Sequence, residues 1–224
     1  MYTYAFCHTP TTPLRFPAGF ANPVALISQG EIAAVVEPAL FPDGLPEEDQ
    51  QLIQAVVSHD RVLRELFAQI PLLPLRFGTR FGSCEALLSY LDSHRQDYLE
   101  KLASVAGKAE YILKLIPQPF APAPPSAPEV GQGREYFLAK KQRYQTQLAQ
   151  QQQQIEERQA VIAAIAQFYP DLRAGEVQDQ GERFYLLIDL ALEPTLDQQL
   201  QVWQTLSPHW QLQRSEALPP YHFV

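Results

Sequence analysis

Apolar and polar positions change period several times along this chain, and each change predicts an element. Tyr2, Tyr4, Phe6 and His8 alternate with Thr3, Ala5 and Cys7, the two-residue period of a strand, placed near a sheet edge. A proline-bearing loop over 9–19 separates it from a hairpin in which 23–28 and 31–37 flank Gln29 and Gly30. From Glu47 the spacing turns to threes and fours. Leu52, Ile53, Val56, Val57, Leu63, Leu66, Phe67 and Ile70 then make one face of a helix that Pro71 stops. In "LPLRFGTRF", residues 73–81, Leu73, Leu75 and Phe77 alternate with Pro74, Arg76 and Gly78 as in a strand. Ser83 next caps a helix whose apolar side runs through Leu87, Leu91 and Leu102 and ends by Gly107.

The second half begins with a strand over 109–116 and a proline-rich stretch, 117–128, that suits an exposed, semi-rigid loop. A long helix follows over about 134–169, with Tyr144, Leu148, Ile155, Ile162, Ile165 and Tyr169 on a heptad-like stripe that Gln151 and Arg158 interrupt. A second hairpin joins 174–179 to 182–192 around Gln180 and Gly181, with Phe184, Leu186, Ile188 and Leu190 as its buried face. A short helix over 195–206 and a strand over 209–217 complete the order β, α, β, β, α, β, which is that of a ferredoxin-like domain. The expected fold is α+β in two domains. An N-terminal α+β domain spans 1–106, and a C-terminal ferredoxin-like (βαββαβ) domain spans 107–224, its first crossover enlarged by the loop and long helix. An extended tail over 218–224 ends it.

Charge narrows the range of partners. The 17 basic and 25 acidic residues of this 224-residue chain leave a formal charge of -8, which argues against a grip on nucleic acid or on an anionic membrane surface. Cys7 and Cys84 stand in no metal or disulfide spacing, which fits a reducing cytosol. No leader pattern is present, and no apolar run approaches the roughly 20 residues of a membrane span, so a soluble, cytosolic chain is expected.

Catalytic motifs are absent. No GxxxxGK[ST], GxGxxG, HExxH or GxSxG occurs, and the five histidines are scattered, so neither an enzyme nor a bound cofactor or metal is expected. Two readings stand at the turn after 73–77. Gly78, Thr79, Arg80, Gly82 and Ser83 at a helix start, with the Arg76 and Arg80 guanidiniums, could hold a small anion for a regulator or enzyme. The alternative, which the reading favours, is a tight turn whose arginines pair with Glu85 or Asp60. His59, beside an apolar stripe, is read as a hydrogen-bonded residue at the core edge rather than a base. On the long helix, Leu148, Ile155 and Ile162 could anchor a partner, with Gln151 setting register, but packing of that stripe on the domain's own sheet is favoured.

Three segments together resemble a known family. "HDRVLREL" (59–66), "LPLRFGTRF" (73–81) and "LPPYHFV" (218–224) are similar, in order and spacing, to motifs of the gas vesicle GvpF/GvpL family, and the compact length fits its GvpF branch. Family members usually carry an apolar residue where Arg80 stands, so the second arginine is a departure; Ala217 and Leu218 depart from the usual ending. The resemblance implies an accessory or minor structural protein that binds the major gas vesicle shell protein during assembly. Other gas vesicle accessory proteins are implied as further partners, and the protein is made in the cytoplasm and shell-associated. It also implies a structural hub of His59, Arg61, Arg76, Phe77, Gly78 and Thr79, with the tail residues Pro219, Pro220 and Tyr221 running back across the domain boundary.

Overall fold

The computed structural model describes residues 1–41, 44–120, 134–176 and 181–224. It is a mixed α+β structure with two four-stranded sheets, in which backbone contacts separate two units. The first holds 1–111, 187–190 and 216–224, and the second holds 112–186 and 191–215.

In the first unit, strands β1 (Tyr2–His8), β2 (Ala25–Gln29), β3 (Ile32–Glu37) and β4 (Leu72–Pro74) lie in the order β2-β3-β1-β4. β1 is therefore an inner strand, not an edge strand. It is antiparallel to both neighbours, with Phe6 opposite Ala34 on one side and Leu73 on the other. The small residues Thr3, Ala5 and Cys7 are as buried as the tyrosines, because helices cover both faces of the sheet and both must be apolar. Tyr4, Ala33 and Val35 pack with Val62, Leu63 and Leu66 of helix α1 (Asp49–Phe67). Phe6, Ile32, Ala34 and Val36 pack with Leu87 and Leu91 of α2 (Cys84–Ser93) and Leu102 and Val105 of α3 (Arg95–Val105).

Three expectations change here. α1 buries Ala55, His59, Val62, Leu63 and Leu66, while Ile53, Val56 and Val57 are exposed, since three-four spacing fits more than one helical face and only one meets the sheet. The strand expected over 73–81 ends at Pro74; Leu75 still donates to the Tyr4 carbonyl, and the chain then turns at Arg76–Thr79 before Arg80 bridges to Tyr2. The single helix expected over 84–107 is two, broken at His94, whose ψ of 14° leaves the helical range. Ser83 does cap α2, its hydroxyl accepting from the Ala86 N–H at 3.0 Å.

The second sheet has the order β6-β7-β5-β8, built from β5 (Lys108–Pro117), β6 (Arg173–Ala174), β7 (Glu182–Asp189) and β8 (Trp210–Arg214). β5 pairs antiparallel with β8, and β6 with β7. Helix α4 (Arg134–Phe168) and helix α5 (Glu193–Leu206) pack on each other and on β8, with Val161, Ile165, Leu196 and Trp203 buried. Leu190, expected on a buried face, is exposed because β7 ends at Asp189 and a 3-10 turn, Leu190–Leu192, follows. At the β8 edge the Gln204 amide donates to the Trp210 carbonyl and its oxygen accepts from the Leu212 N–H, so a side chain closes an open strand edge. Most of the expected loop over 117–128, and the tip of the second hairpin at 177–180, lie outside the described residues.

Candidate functional site

The motif residues of the first unit meet around one buried imidazole. α1 carries His59 inward, β1 brings Tyr2 and Tyr4, and the end of β4 brings the Leu75 carbonyl. His59 Nε2 lies 3.1 Å from that carbonyl, which can only accept, so Nε2 bears the proton. Nδ1 then accepts from the Tyr2 hydroxyl at 2.8 Å, and the same hydroxyl accepts from the Gly78 N–H at 3.3 Å. Burial holds the imidazole below its ordinary pKa and pushes the Tyr2 phenol up to about 12, so both groups are neutral. Tyr4 stacks on the ring and Phe77 meets it edge-on, at centroid distances of 5.2 and 5.7 Å.

Gly78 adopts φ +88°, a conformation that favours glycine, and this lets its N–H face Tyr2. Thr79 closes the turn, its N–H and hydroxyl both donating to the Arg76 carbonyl. The arginines act differently from the pairings expected for them. Arg80 donates to the Phe41 carbonyl rather than to Glu85 or Asp60, and the exposed Arg76 guanidinium has no hydrogen-bond or ion-pair partner among the described residues. Arg61, expected to face the turn, instead reaches the Ala18 carbonyl at 2.6 Å and Glu65 at 3.1 Å, because it lies on a different side of α1 from His59. Arg80 is thus spent on a backbone carbonyl, while Arg76 is left to solvent.

Two buried carboxylates complete this unit, and sequence spacing singles out neither. Glu37, at the end of β3, accepts the Tyr4 hydroxyl at 2.5 Å and three consecutive backbone N–H groups, Phe20, Ala21 and Asn22. Gly19 lets that loop close in, since a Cβ there would lie 2.4 Å from a Glu37 oxygen. Glu110, on β5, accepts both the backbone N–H and the Nδ1–H of His222 at 2.7 Å. Next to it Tyr221 donates to Asp60 at 2.6 Å, Asp60 accepts from Arg64 at 2.7 Å, and Arg64 also pairs with Glu216. Pro219 and Pro220 are buried beside them. Every one of these partners belongs to the first unit, as does the tail itself. The signal was an acid closing the apolar run 32–37, for Glu37, and a lone acid within "AEYILKLI", for Glu110, since a buried carboxylate demands donors.

On α4 the described side chains divide into two faces. Gln154, Glu157, Arg158, Val161 and Ile165 face the sheet: Gln154 donates to the Gln118 and His209 carbonyls, Glu157 accepts from His209, and Arg158 grips Glu182 with two nitrogens. The stripe expected to pack does so only at its far end. Ile165 is buried and Ile162 and Tyr169 half-buried, while Tyr144, Leu148, Gln151 and Ile155 are exposed, because a heptad stripe drifts round a 3.6-residue helix and reaches the buried face only in the last turns. Among the described residues no group of three or more His, Cys, Asp or Glu side chains is placed to hold a metal ion, and no helix is long and apolar enough to cross a membrane.

Residues 1–224 match the family model described as gas vesicle synthesis protein GvpL/GvpF. The chain is 34% identical over 93 residues to gas vesicle protein F of Streptomyces sp. (strain CB03234), an alignment covering 42% of this chain and 37% of that protein's length. Its fold is similar to the crystal structures of GvpF from Microcystis aeruginosa, at TM-score 0.70 and 16% identity over 99% of this chain and 97% of that one. It is equally similar to GvpF from Anabaena sp. PCC7120, at TM-score 0.71 and 15% identity over 99% and 94%.

Proposed function

The chain belongs to the gas vesicle GvpL/GvpF family, and from that membership we propose that it is a binding protein of gas vesicle assembly, not an enzyme. It holds subunits of the major shell protein while the shell is built, alongside other gas vesicle accessory proteins, and is retained in the shell as a minor component. Its second unit, with the order β5, α4, β6, β7, α5, β8 and a sheet ordered β6-β7-β5-β8, is read here as ferredoxin-like, with α4 as an enlarged crossover.

One contrast supports binding over chemistry. His59, Arg61, Thr79 and Arg80 of the family motifs spend hydrogen bonds inside the protein, as His59 does on Tyr2 and Leu75, whereas α4 leaves a row of apolar side chains facing water. An imidazole whose two nitrogens are both engaged in a packed aromatic cluster has no lone pair to offer a substrate. Arg80, one of the two guanidiniums the anion-site reading needs, is already engaged by the Phe41 carbonyl.

The test is a pull-down of the purified chain with the major shell protein, followed by immunodetection on intact, washed vesicles. Binding to free subunits and retention on washed vesicles are both expected. Binding without retention would confine the role to assembly, and no binding at all would overturn the reading.

A further inference from the structure

We propose that the exposed stripe of α4, formed by Phe137, Tyr144, Leu148 and Ile155 and bracketed by Lys140 and Lys141, docks an amphipathic helix of another protein that carries acidic residues beside its apolar positions. Phe137 is 71% exposed, Tyr144 62%, Leu148 46% and Ile155 48%. Single exposed apolar residues are ordinary, but a row of them along one helix marks a contact surface. Their spacing, with Lys141 and Gln151 in the gaps, alternates fours and threes, the repeat by which one helix seats another. The face that α4 does bury, through Val161 and Ile165, is a different one, so the stripe is not spare core.

Charge identifies the occupant. Between Phe137 and Gln153 no acidic residue occurs, and Lys140 and Lys141 stand exposed beside the stripe in a chain of net charge -8. At about 100° per residue the two lysines lie on either side of the stripe, where flanking charges choose a partner helix. A second copy of this chain fits poorly. Parallel pairing would set Lys141 against Lys141. Antiparallel pairing, which sets Tyr144 opposite Ile155 and Leu148 opposite Gln151, would set Lys141 opposite Arg158, which Glu182 already holds against the sheet and which offers no acid. A membrane surface fits less well too, since Gln145, Gln147, Gln151 and Gln152 occupy the stripe or its borders where an interfacial helix carries apolar or basic side chains. Glutamate beside an apolar seam meets both requirements, pairing with the lysines and leaving the glutamines to amide hydrogen bonds.

This inference rests on reading the chain as a binding protein, and does not require the partner to be the shell protein. The experiment uses the full chain and two synthetic peptides of about four heptads with identical Leu/Ile seams, one flanked by glutamate and one by lysine. Fluorescence anisotropy at ~50 and ~300 mM salt measures binding. The glutamate peptide is expected to bind at least about tenfold more tightly, with an advantage that shrinks at the higher salt. The double variant K140E/K141E should invert the preference, and Leu148→Ser with Ile155→Ser should abolish binding while circular dichroism and melting stay unchanged. Equal or absent binding of the two peptides would overturn the proposal. So would stripe-dependent dimerisation in sedimentation, or co-sedimentation with phosphatidylglycerol vesicles that K140E/K141E abolishes. Should the stripe variants lose the glutamate peptide yet remain on washed vesicles, the docking site stands and vesicle association uses another surface. Vesicle association combined with equal or absent peptide binding would end this inference alone.

Discussion

His59 links three elements through two hydrogen bonds, and its neutral state is what makes those bonds possible. Because burial lowers its pKa, the unfolded chain takes up a proton that the folded chain refuses as the pH falls through about 6.5. Stability should therefore drop below that pH and level off once the folded ring also protonates. Among the described residues the countercharge acting on the ring is Asp60 on its own helix; the groups that meet the ring from β1 and the turn are the Tyr2 phenol, the Tyr4 phenol, itself bonded to Glu37, and the Phe77 ring. Melting between ~pH 7.5 and ~5.5 should show the decline, and His59→Gln should flatten it relative to the native chain. His59→Ala strands the buried Tyr2 hydroxyl and Leu75 carbonyl and should cost about 2–4 kcal/mol in denaturant unfolding. Gly78→Ala, at φ +88°, should cost about 1–2 kcal/mol by the same measurement. The sequence pattern places His59 beside an apolar stripe, but it cannot name Tyr2, 57 residues away, because that pairing depends on where β1 lies in the sheet.

Elements were more legible than their faces. Period and capping locate α1, the start of α2, α4 and the strands, since a run of three-four or two-residue spacing excludes the other geometry. The break at His94 leaves the spacing from Leu87 to Leu102 intact, so it carries no sequence signal. In α4 a regular apolar stripe coexists with a buried face that is half polar, where Gln154, Glu157 and Arg158 satisfy strand and loop groups, and hydrophobicity alone finds that face only at Ile165. Paired substitutions test this division. Ile165→Ala should cost about 2–5 kcal/mol in denaturant unfolding. Leu148→Ser should stay within about 0.5 kcal/mol of the native chain; a large loss there would mean the stripe packs after all.

At the scale of the whole chain, the last residues return to the first unit and neutralise a problem created on β5. Glu110 is fully buried, and a buried carboxylate without donors is among the costliest defects a fold can contain. His222 supplies two donors, Leu218 exchanges both backbone hydrogen bonds with Glu110, and Tyr221 adds a bond to Asp60; burial, and then that bond, push its phenol well above the ordinary range. Prolines in "LPPYHFV" make an extended run legible, whereas its destination was not, because Tyr221 and Asp60 are 161 residues apart and no local pattern encodes that closure. Deleting residues 219–224 should leave Glu110 charged and unpaired, at about 3–5 kcal/mol, which lowers the melting temperature by roughly 10 °C. Adding Glu110→Gln to the truncated chain removes the stranded charge and should recover part of that fall. An unchanged melt on truncation, or no recovery with the amide, would mean the tail's weight lies in the packing of Leu218, Pro219 and Pro220 rather than in the carboxylate it covers.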